Sequence, residues 1–276
     1  MPVAAPGTSD MGLPAFSVLI RTFNSADSLP QTLRSLEQQS QHWQELIVVD
    51  SGSTDATLGL LPAGSQVHRF EGREFNYSAA LNQGVQRVSS EYVLIISSHT
   101  TLGHQNAVET ALRLLAGDDR IGAAYFRDGL STTLGYELID ASRFDGTNGL
   151  WNTCSLVKTD LLRKRAFRPE VFAAEDQEWA SWLIHEEGKV TACITGAGMV
   201  VHNPRRLSLR KRVNEYVSIA YFSHRPLMGF DNLQLMARAA FSPRRRSREE
   251  RIFLLLAVWR LCLAWIRQPK ARSKYF

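Results

Sequence analysis

Three short apolar runs in the first hundred residues each end in a cluster of polar side chains. The runs are FSVLI at residues 16–20, LIVV at residues 46–49 and YVLII at residues 92–96. Between the first two, leucines recur at helical spacing, at Leu29, Leu33 and Leu36. Strands that alternate with a helix favour a parallel sheet, whose strand ends open on one edge. The pattern therefore predicts an α/β fold with a ligand crevice beyond the carboxyl ends of the strands.

The polar residues that follow the first two runs are candidates for nucleotide binding. Asp50 ends the second strand, where its carboxylate can accept hydrogen bonds from a base or a ribose. Thr22 and Asn24 follow the first strand, so we expect them to face the same ligand, and Ser53 belongs to the same loop as Asp50. An ordinary acidic turn before a helix stays open as the alternative, because Ser53 and its two successors are all good N-cap residues.

Five segments of the chain together resemble the family-2 glycosyltransferases. They are SVLIRTFNSADSLPQTLRSLEQQ, ELIVVDSGSTDAT, FNYSAALNQGV, EYVLIISSHT and AEDQEWASWL, in the order and at about the spacing of that family. The resemblance covers residues 16–203 and implies a GT-A fold, a Rossmann-like sheet with helices on both faces that binds a nucleotide-sugar. Within the family, the chain is similar to bacterial rhamnosyltransferase-like enzymes that build surface polysaccharide.

The resemblance also divides the chain. Residues 1–15 are expected to be a flexible N-terminus, residues 16–204 the catalytic domain, and residues 205–276 a basic helical C-terminal region. Within the catalytic domain, residues 16–100 are expected to bind the nucleotide and residues 101–204 the acceptor. We therefore expect one catalytic domain with a tail.

A departure from the family pattern follows the third strand. Family members usually carry Asp-x-Asp there, and this chain has Ser97, Ser98 and His99. The resemblance implies that Ser97 and Ser98 bind the diphosphate and that His99, with His202 further along the chain, holds a divalent metal (Mn or Mg). Imidazole suits manganese or zinc better than magnesium, so the departure leaves metal dependence open. A His99 that only hydrogen-bonds to the diphosphate is the alternative, with cations from Arg205, Arg206 and Arg210 replacing the metal.

An acidic pair opens the last matching segment. Glu175 and Asp176 precede an apolar helical stretch, and a helix N-terminus favours ionised carboxylates. The resemblance implies that Asp176 is the general base that deprotonates the acceptor, with Glu175 contacting the acceptor or orienting the loop. Attack opposite the leaving group would invert the anomeric centre. A simple acidic helix start is the alternative.

Two more positions are implied by the resemblance to contact the donor. Asn82 matches the Asn-x-Gly of the family, whose neighbourhood contacts the nucleotide and the sugar, and Trp151 helps to shape the donor-sugar pocket. Many members carry an arginine just before that asparagine, where this chain has Leu81. Arg69 and Arg73 are the candidates to supply the missing cation.

The net charge of +5 is concentrated late in the chain, in three clusters of Lys and Arg. Between the last two clusters, residues 252–266 are apolar except for Arg260. This stretch is shorter than the roughly 20 residues that a membrane span needs. It predicts a helix at an anionic membrane surface, with a packed C-terminal helix or a dimer contact as alternatives. No motif indicates nucleic-acid binding, and the three scattered cysteines indicate neither a zinc site nor a disulfide framework.

These features predict an inverting glycosyltransferase that uses a dTDP-, UDP- or GDP-sugar, with rhamnose implied by the resemblance. The acceptor is expected to be a surface polysaccharide or a lipid-linked saccharide. Residues 1–15 lack the pattern of a signal peptide, so we expect a cytoplasmic protein attached peripherally to the inner face of the cell membrane. The alternatives are a non-catalytic sugar-nucleotide-binding or scaffold subunit and a nucleotidyltransferase. The sequence leaves the oligomeric state open.

Overall fold

A computed structural model describes residues 12–72, 74–202, 208–242 and 247–270. The strands are β1 (Phe16–Thr22), β2 (Glu45–Asp50), β3 (Gln66–Arg69), β4 (Tyr92–Ser97), β5 (Thr100–Leu102), β6 (Ile121–Asp128), β7 (Gly135–Ile139), β8 (Cys154–Lys158), β9 (Val190–Gly196) and β10 (Val200–His202). The α-helices are α1 (Leu29–Glu37), α2 (Tyr77–Val85), α3 (Ala107–Gly117), α4 (Thr159–Lys164), α5 (Glu175–His185), α6 (Leu209–Ser218), α7 (Phe230–Phe241) and α8 (Arg248–Ile266).

A mixed eight-stranded sheet lies at the centre, in the order β3-β2-β1-β4-β8-β6-β9-β7, and β5 and β10 form a separate ribbon. Strand β1 is parallel to both β2 and β4, whereas β8 is antiparallel to β4 and β6. The loops that follow β1, β2 and β4 therefore open on the same edge of the sheet. The predicted α/β fold is confirmed.

Alternation along β1 explains how both faces of the sheet are covered. Val18 and Ile20 face a core completed by α1 and α3, whereas Leu19 faces a second core that includes Leu81 of α2 and Trp179 of α5. All of these side chains are fully or almost fully buried. Helices on both faces hold the strands rigidly, so the loops at the carboxyl edge have a fixed base.

The C-terminal helices form a third core. Val213 and Val217 of α6 pack with Met236 of α7 and Leu261 of α8, and Phe172, which precedes α5, joins them. This cluster therefore rests against the segment that leads into α5.

Helix α8 has one packed and one exposed face. It starts four residues earlier than the apolar stretch predicted, because Ser247 and Glu250 form a capping box. Arg260 turns inward and donates a hydrogen bond to Asn214 of α6. Elsewhere α8 leaves large apolar side chains exposed, at Ile252, Leu255, Leu256, Trp259, Trp265 and Ile266. None of the helices in the described ranges has the length and apolar character needed to cross a membrane.

Candidate functional site

Asp50 joins the loops that follow β1 and β2. Its Oδ1 accepts hydrogen bonds from Thr22 Oγ1 (2.9 Å) and Ser53 Oγ (2.5 Å), and its Oδ2 accepts from the N–H groups of Gly52 (2.9 Å) and Ser53 (2.8 Å). Burial raises the pKa of Asp50, but these donors outweigh burial and hold the pKa below its ordinary value. The carboxylate is therefore ionised, and its four lone-pair positions are engaged within the protein. A base or ribose that binds Asp50 must displace one of these donors.

Asn24 connects the same two loops through its backbone and its side chain. Its N–H donates to Ser53 Oγ at 2.9 Å, and its Oδ1 accepts from the N–H of Thr54 at 2.8 Å. Its φ of 48° lies in the left-handed region, which asparagine tolerates better than most residues. The structure thus brings Thr22, Asn24, Asp50 and Ser53 together in one hydrogen-bonded unit, as their positions after adjacent parallel strands led us to expect.

The three residues in place of Asp-x-Asp differ in their exposure. Ser98 is buried, its Oγ lies 2.8 Å from Ser25 Oγ, and its carbonyl accepts from Ser28 Oγ at 2.9 Å. Ser98 therefore anchors the approach to α1. Ser97 is half-buried at the end of β4, and His99 is exposed in the turn that follows.

The expected metal ligands can be placed only in part. His202 pairs with Thr100 across the β5–β10 ribbon, so its backbone lies close to that of His99. The side chain of His202 lies outside the described residues, as do Arg73, Arg205 and Arg206. Among the described residues, no group of three or more His, Cys, Asp or Glu side chains could hold a metal ion. Manganese and magnesium prefer carboxylate oxygens, and this turn offers hydroxyls and an imidazole, so its donor set does not fit either ion.

Asp176 occupies the first turn of α5 and faces the loop that leads into β8. Its Oδ2 accepts from the N–H of Asn152 at 3.0 Å, and its Oδ1 accepts from the N–H of Gln177 at 2.8 Å. Burial, together with the negative charge of Glu175, raises the pKa of Asp176 to about 7. The N–H donors at the helix N-terminus favour the ionised form, as expected, but burial and Glu175 outweigh them. A carboxyl with this pKa is suited to take up a proton near neutral pH.

Helix α6 adds a third carboxyl beside this pair. Burial is the main cause of the raised pKa of Glu215, and Lys211 opposes the shift. The negative charge of Glu175, which is only 7% exposed, adds to the shift. The surroundings of Asp176 thus include the C-terminal region as well as the sheet. Arg210, the third cation considered as a replacement for the metal, is exposed near the start of α6.

Asn82 and Trp151 make contacts within the protein. Asn82 Nδ2 donates to the carbonyl of Phe167 at 2.7 Å, and its Oδ1 accepts from the N–H of the same residue at 3.0 Å. Trp151 Nε1 donates to the carbonyl of Thr147 at 3.2 Å, and the guanidinium of Arg127 lies 4.4 Å from the centre of the indole ring. Both side chains hold loops in place, and their donor-binding roles remain predictions. Arg69, the cation proposed beside Asn82, is exposed at the end of β3.

The structure adds three residues that sequence reasoning missed. Asn152 and Gln177 hold the loop before β8 against α5, since the side chain of Gln177 also bonds the N–H of Gly149 and the carbonyl of Leu150. The third is Arg21, whose positive charge acts on Asp176 to lower its pKa, against the larger effects of burial and Glu175. The signal for Arg21 in the sequence was a charged residue directly after three apolar ones, at residues 18–20.

Known proteins with similar sequences match the chain over part of its length. An uncharacterized glycosyltransferase of Rickettsia typhi is 29% identical over 128 residues, which are 46% of this chain and 38% of that protein. The O-antigen chain rhamnosyltransferase of Salmonella typhimurium is 25% identical over 96 residues, which are 34% of this chain and 31% of that protein. The matches therefore span well under half the length of these relatives.

A solved structure with a similar fold is a mannosyltransferase from Pyrobaculum calidifontis in complex with GDP-Man and Mn²⁺. It aligns with 94% of this chain and 74% of its own, with a TM-score of 0.56 and 18% sequence identity. At this identity the similarity concerns the fold, and the predicted GT-A fold is confirmed. Residues 17–165, more than half of the chain, match the model of glycosyl transferase family 2, and the chain therefore belongs to that family.

Proposed function

We propose that this chain is an inverting glycosyltransferase in which Asp176 is the general base. The observation that carries the proposal is the state of this carboxyl, with a pKa raised to about 7 in the first turn of α5. A general base works best when its pKa lies near the operating pH. Membership of the family supports the reaction class.

The proposed reaction is a single displacement. Asp176 takes the proton of an acceptor hydroxyl while the hydroxyl oxygen attacks the anomeric carbon of the donor sugar. The bond between that carbon and the diphosphate oxygen breaks, and its electron pair leaves with the nucleoside diphosphate. Glu175 keeps the pKa of the base high, and the Asn152 N–H holds its orientation. Attack from the face opposite the leaving group inverts the anomeric centre.

The donor is proposed to be a dTDP-, UDP- or GDP-sugar, bound beyond the ends of β1, β2 and β4. Rhamnose is the first sugar to test, because one relative of the chain is an O-antigen chain rhamnosyltransferase. The proposed acceptor is a surface polysaccharide or a lipid-linked saccharide. The mannosyltransferase of similar fold was solved with GDP-Man and Mn²⁺, whereas residues 97–99 of this chain lack the carboxylates that Mn²⁺ prefers, so the titrations below are made with and without this ion. The proton transfer to Asp176 does not depend on such an ion.

Helix α8 supports attachment to a membrane surface. Its exposed face presents two tryptophans, Trp259 at 58% and Trp265 at 66% exposure, beside exposed aliphatic side chains. Basic residues flank the apolar stretch on both sides in the sequence. Apolar side chains that insert at the headgroup level, together with cations that attract anionic lipids, bind a protein to a surface without crossing it. We therefore propose that the protein is attached peripherally to the inner face of the cell membrane.

The test combines calorimetry with a transfer assay on the full chain. UDP, dTDP and GDP are titrated with and without Mn²⁺, and the matching nucleotide-sugars, dTDP-rhamnose first, are then assayed with membrane extract as the acceptor source. We expect one diphosphate to bind and its sugar to be transferred. Asp176→Asn should abolish transfer while retaining binding, and Asp160→Asn, at an exposed carboxylate of α4, should behave as wild type. A chain that binds a diphosphate and transfers nothing would instead be the non-catalytic binding subunit, and binding of no diphosphate would overturn the proposal.

A further inference from the structure

Arg21 lies near the carboxyl end of β1, at the edge of the sheet that carries the candidate site. It pairs with Val49 of β2 on one side and with Ser97 of β4 on the other. Because side chains alternate along a strand, Arg21 shares the sheet face of Leu19, the face covered by α2 and α5. Its guanidinium therefore lies between the strands whose loops form the candidate nucleotide site and the helix that carries Asp176.

The side chain of Arg21 is half-buried, and one nitrogen of its guanidinium is buried without a partner. It stacks on the ring of Tyr77, the first residue of α2, with 4.7 Å between its central carbon and the ring centre. Its Nη1 is buried and has no hydrogen-bond partner. In the part of the chain that the structure describes, no carboxylate lies within ion-pair distance of Arg21. A buried cationic N–H that stays unpaired is costly, so this nitrogen indicates a site for an anionic oxygen that the protein itself does not supply.

The charges of the neighbouring loops make a phosphate oxygen the fitting partner. The carboxylate of Asp50 is saturated by its own loop, and residues 97–99 contain no carboxylate to hold a metal ion. A nucleoside diphosphate that leaves the sugar gains negative charge, which must be stabilised by fixed donors. The planar fork of an arginine matches the oxygens of a phosphate and keeps its charge when buried.

From this geometry we propose that Arg21 binds the diphosphate of the donor and stabilises the negative charge that develops on it as the sugar leaves. This inference rests on the proposed glycosyltransferase function. Residues 97–99 have no carboxylate to bind a metal cation, and Arg21 of β1 supplies the positive charge instead. Tyr77 keeps the guanidinium in position by stacking on its face, which leaves the N–H edge free for the ligand.

The test compares diphosphates with nucleosides. Calorimetry on the full chain, in the presence of EDTA, measures the affinity for UDP, dTDP and GDP and for uridine, thymidine and guanosine. We expect Arg21→Met to weaken binding of the preferred diphosphate by about tenfold to a hundredfold, because a charge-assisted hydrogen bond is lost. Binding of the corresponding nucleoside should be unchanged. Arg21→Lys should recover part of the diphosphate affinity, and Arg34→Met, at an exposed arginine of α1, should match wild type.

The outcomes separate this inference from the proposed function. If the wild type binds a diphosphate and Arg21→Met binds it equally well, Arg21 has no part in diphosphate binding, although the chain can still be a transferase. An altered pH profile of transfer with unchanged diphosphate affinity would likewise overturn the inference, since Arg21 would then act only on Asp176. Wild-type protein that binds a diphosphate only with Mn²⁺ would overturn the inference, and wild-type protein that binds no diphosphate with or without Mn²⁺ would remove the proposed function itself. If Arg21→Met does not fold, as judged by circular dichroism, Arg21→Gln compared with Arg21→Lys decides the question.

Discussion

The backbone N–H of Asn152 donates a 3.0 Å hydrogen bond to Oδ2 of Asp176, and so ties the first turn of α5 to the loop that enters β8 at the centre of the sheet. Among the residues that the structure describes, each carboxylate oxygen of Asp176 accepts one backbone hydrogen bond and retains a free lone-pair position. Asp50 differs, because each of its two carboxylate oxygens accepts two hydrogen bonds. Of the two aspartates, Asp176 is therefore the one built to accept a proton.

The first prediction concerns the pH dependence of transfer. Below pH about 7 the Asp176 carboxyl is protonated and cannot act as a base, so kcat/KM should rise with pH and level off above pH about 7. Glu175→Gln removes the negative charge that contributes to the raised pKa, so the midpoint of its profile should move to lower pH. Initial rates between pH 5 and 9 give both midpoints. A Glu175→Gln midpoint equal to or above that of wild type would contradict this electrostatic account.

The second prediction concerns stability. The folded-state pKa of Asp176 lies above the ordinary 3.8, so the folded state binds its proton more tightly than the unfolded state. Stability from the neutral carboxyl is therefore fully present below pH 3.8 and is lost as the pH rises through about 7. Asp176→Asn stays neutral, so its free energy of unfolding relative to wild type should increase by about 1–3 kcal/mol between pH 4 and pH 8. Urea denaturation at the two pH values measures this difference, and a constant offset between variant and wild type would refute it.

Much of the scaffold of the site could be predicted from the sequence, and the reasons are local. The apolar runs at β1, β2 and β4 are buried on both faces, so hydrophobicity and β-branched residues located them within two residues of their observed ends. The adjacency of Thr22 and Asp50 followed from parallel pairing alone. The charge state of Asp176 could not be predicted this way, because its pKa depends on burial, which is set by residues distant in sequence.

The functions of single polar residues were harder to predict for the same reason. Asn82 occupies a position that resemblance assigns to the donor, yet both ends of its amide bind the backbone of Phe167, 85 residues away. Arg260 interrupts the apolar stretch of residues 252–266, and its side chain points inward to Asn214 of α6. Such pairings depend on tertiary structure, and no periodic pattern in the sequence encodes them.

A third prediction follows from the contacts of Asn82. Asn82→Ala leaves the N–H and the carbonyl of Phe167 without their partner, so the free energy of unfolding should fall by about 1–3 kcal/mol. The affinity for the nucleoside diphosphate should change little, because the amide faces Phe167. Denaturant unfolding and calorimetry test the two parts. Gln86→Ala, at an exposed position that follows the same helix, is the control and should be neutral. Weakened diphosphate binding with unchanged stability would instead assign Asn82 to the donor site.

The final prediction separates membrane attachment from internal packing at α8. Ala257 and Leu261 face the C-terminal core, whereas Trp259 and Trp265 are mostly exposed, so replacing these tryptophans removes apolar surface without opening the core. The double variant Trp259→Ser and Trp265→Ser should unfold like wild type and bind vesicles of phosphatidylglycerol at least about tenfold more weakly, because each lost indole contributes apolar contact with the bilayer. Tyr136→Ser, at an exposed aromatic residue of β7, should leave vesicle binding unchanged.

Co-sedimentation with vesicles, repeated with neutral phosphatidylcholine and at high salt, separates the apolar from the electrostatic contribution. Equal binding of the double variant and wild type to anionic vesicles would exclude this face as the membrane contact, and a loss of dimer in the double variant would identify it as a protein interface.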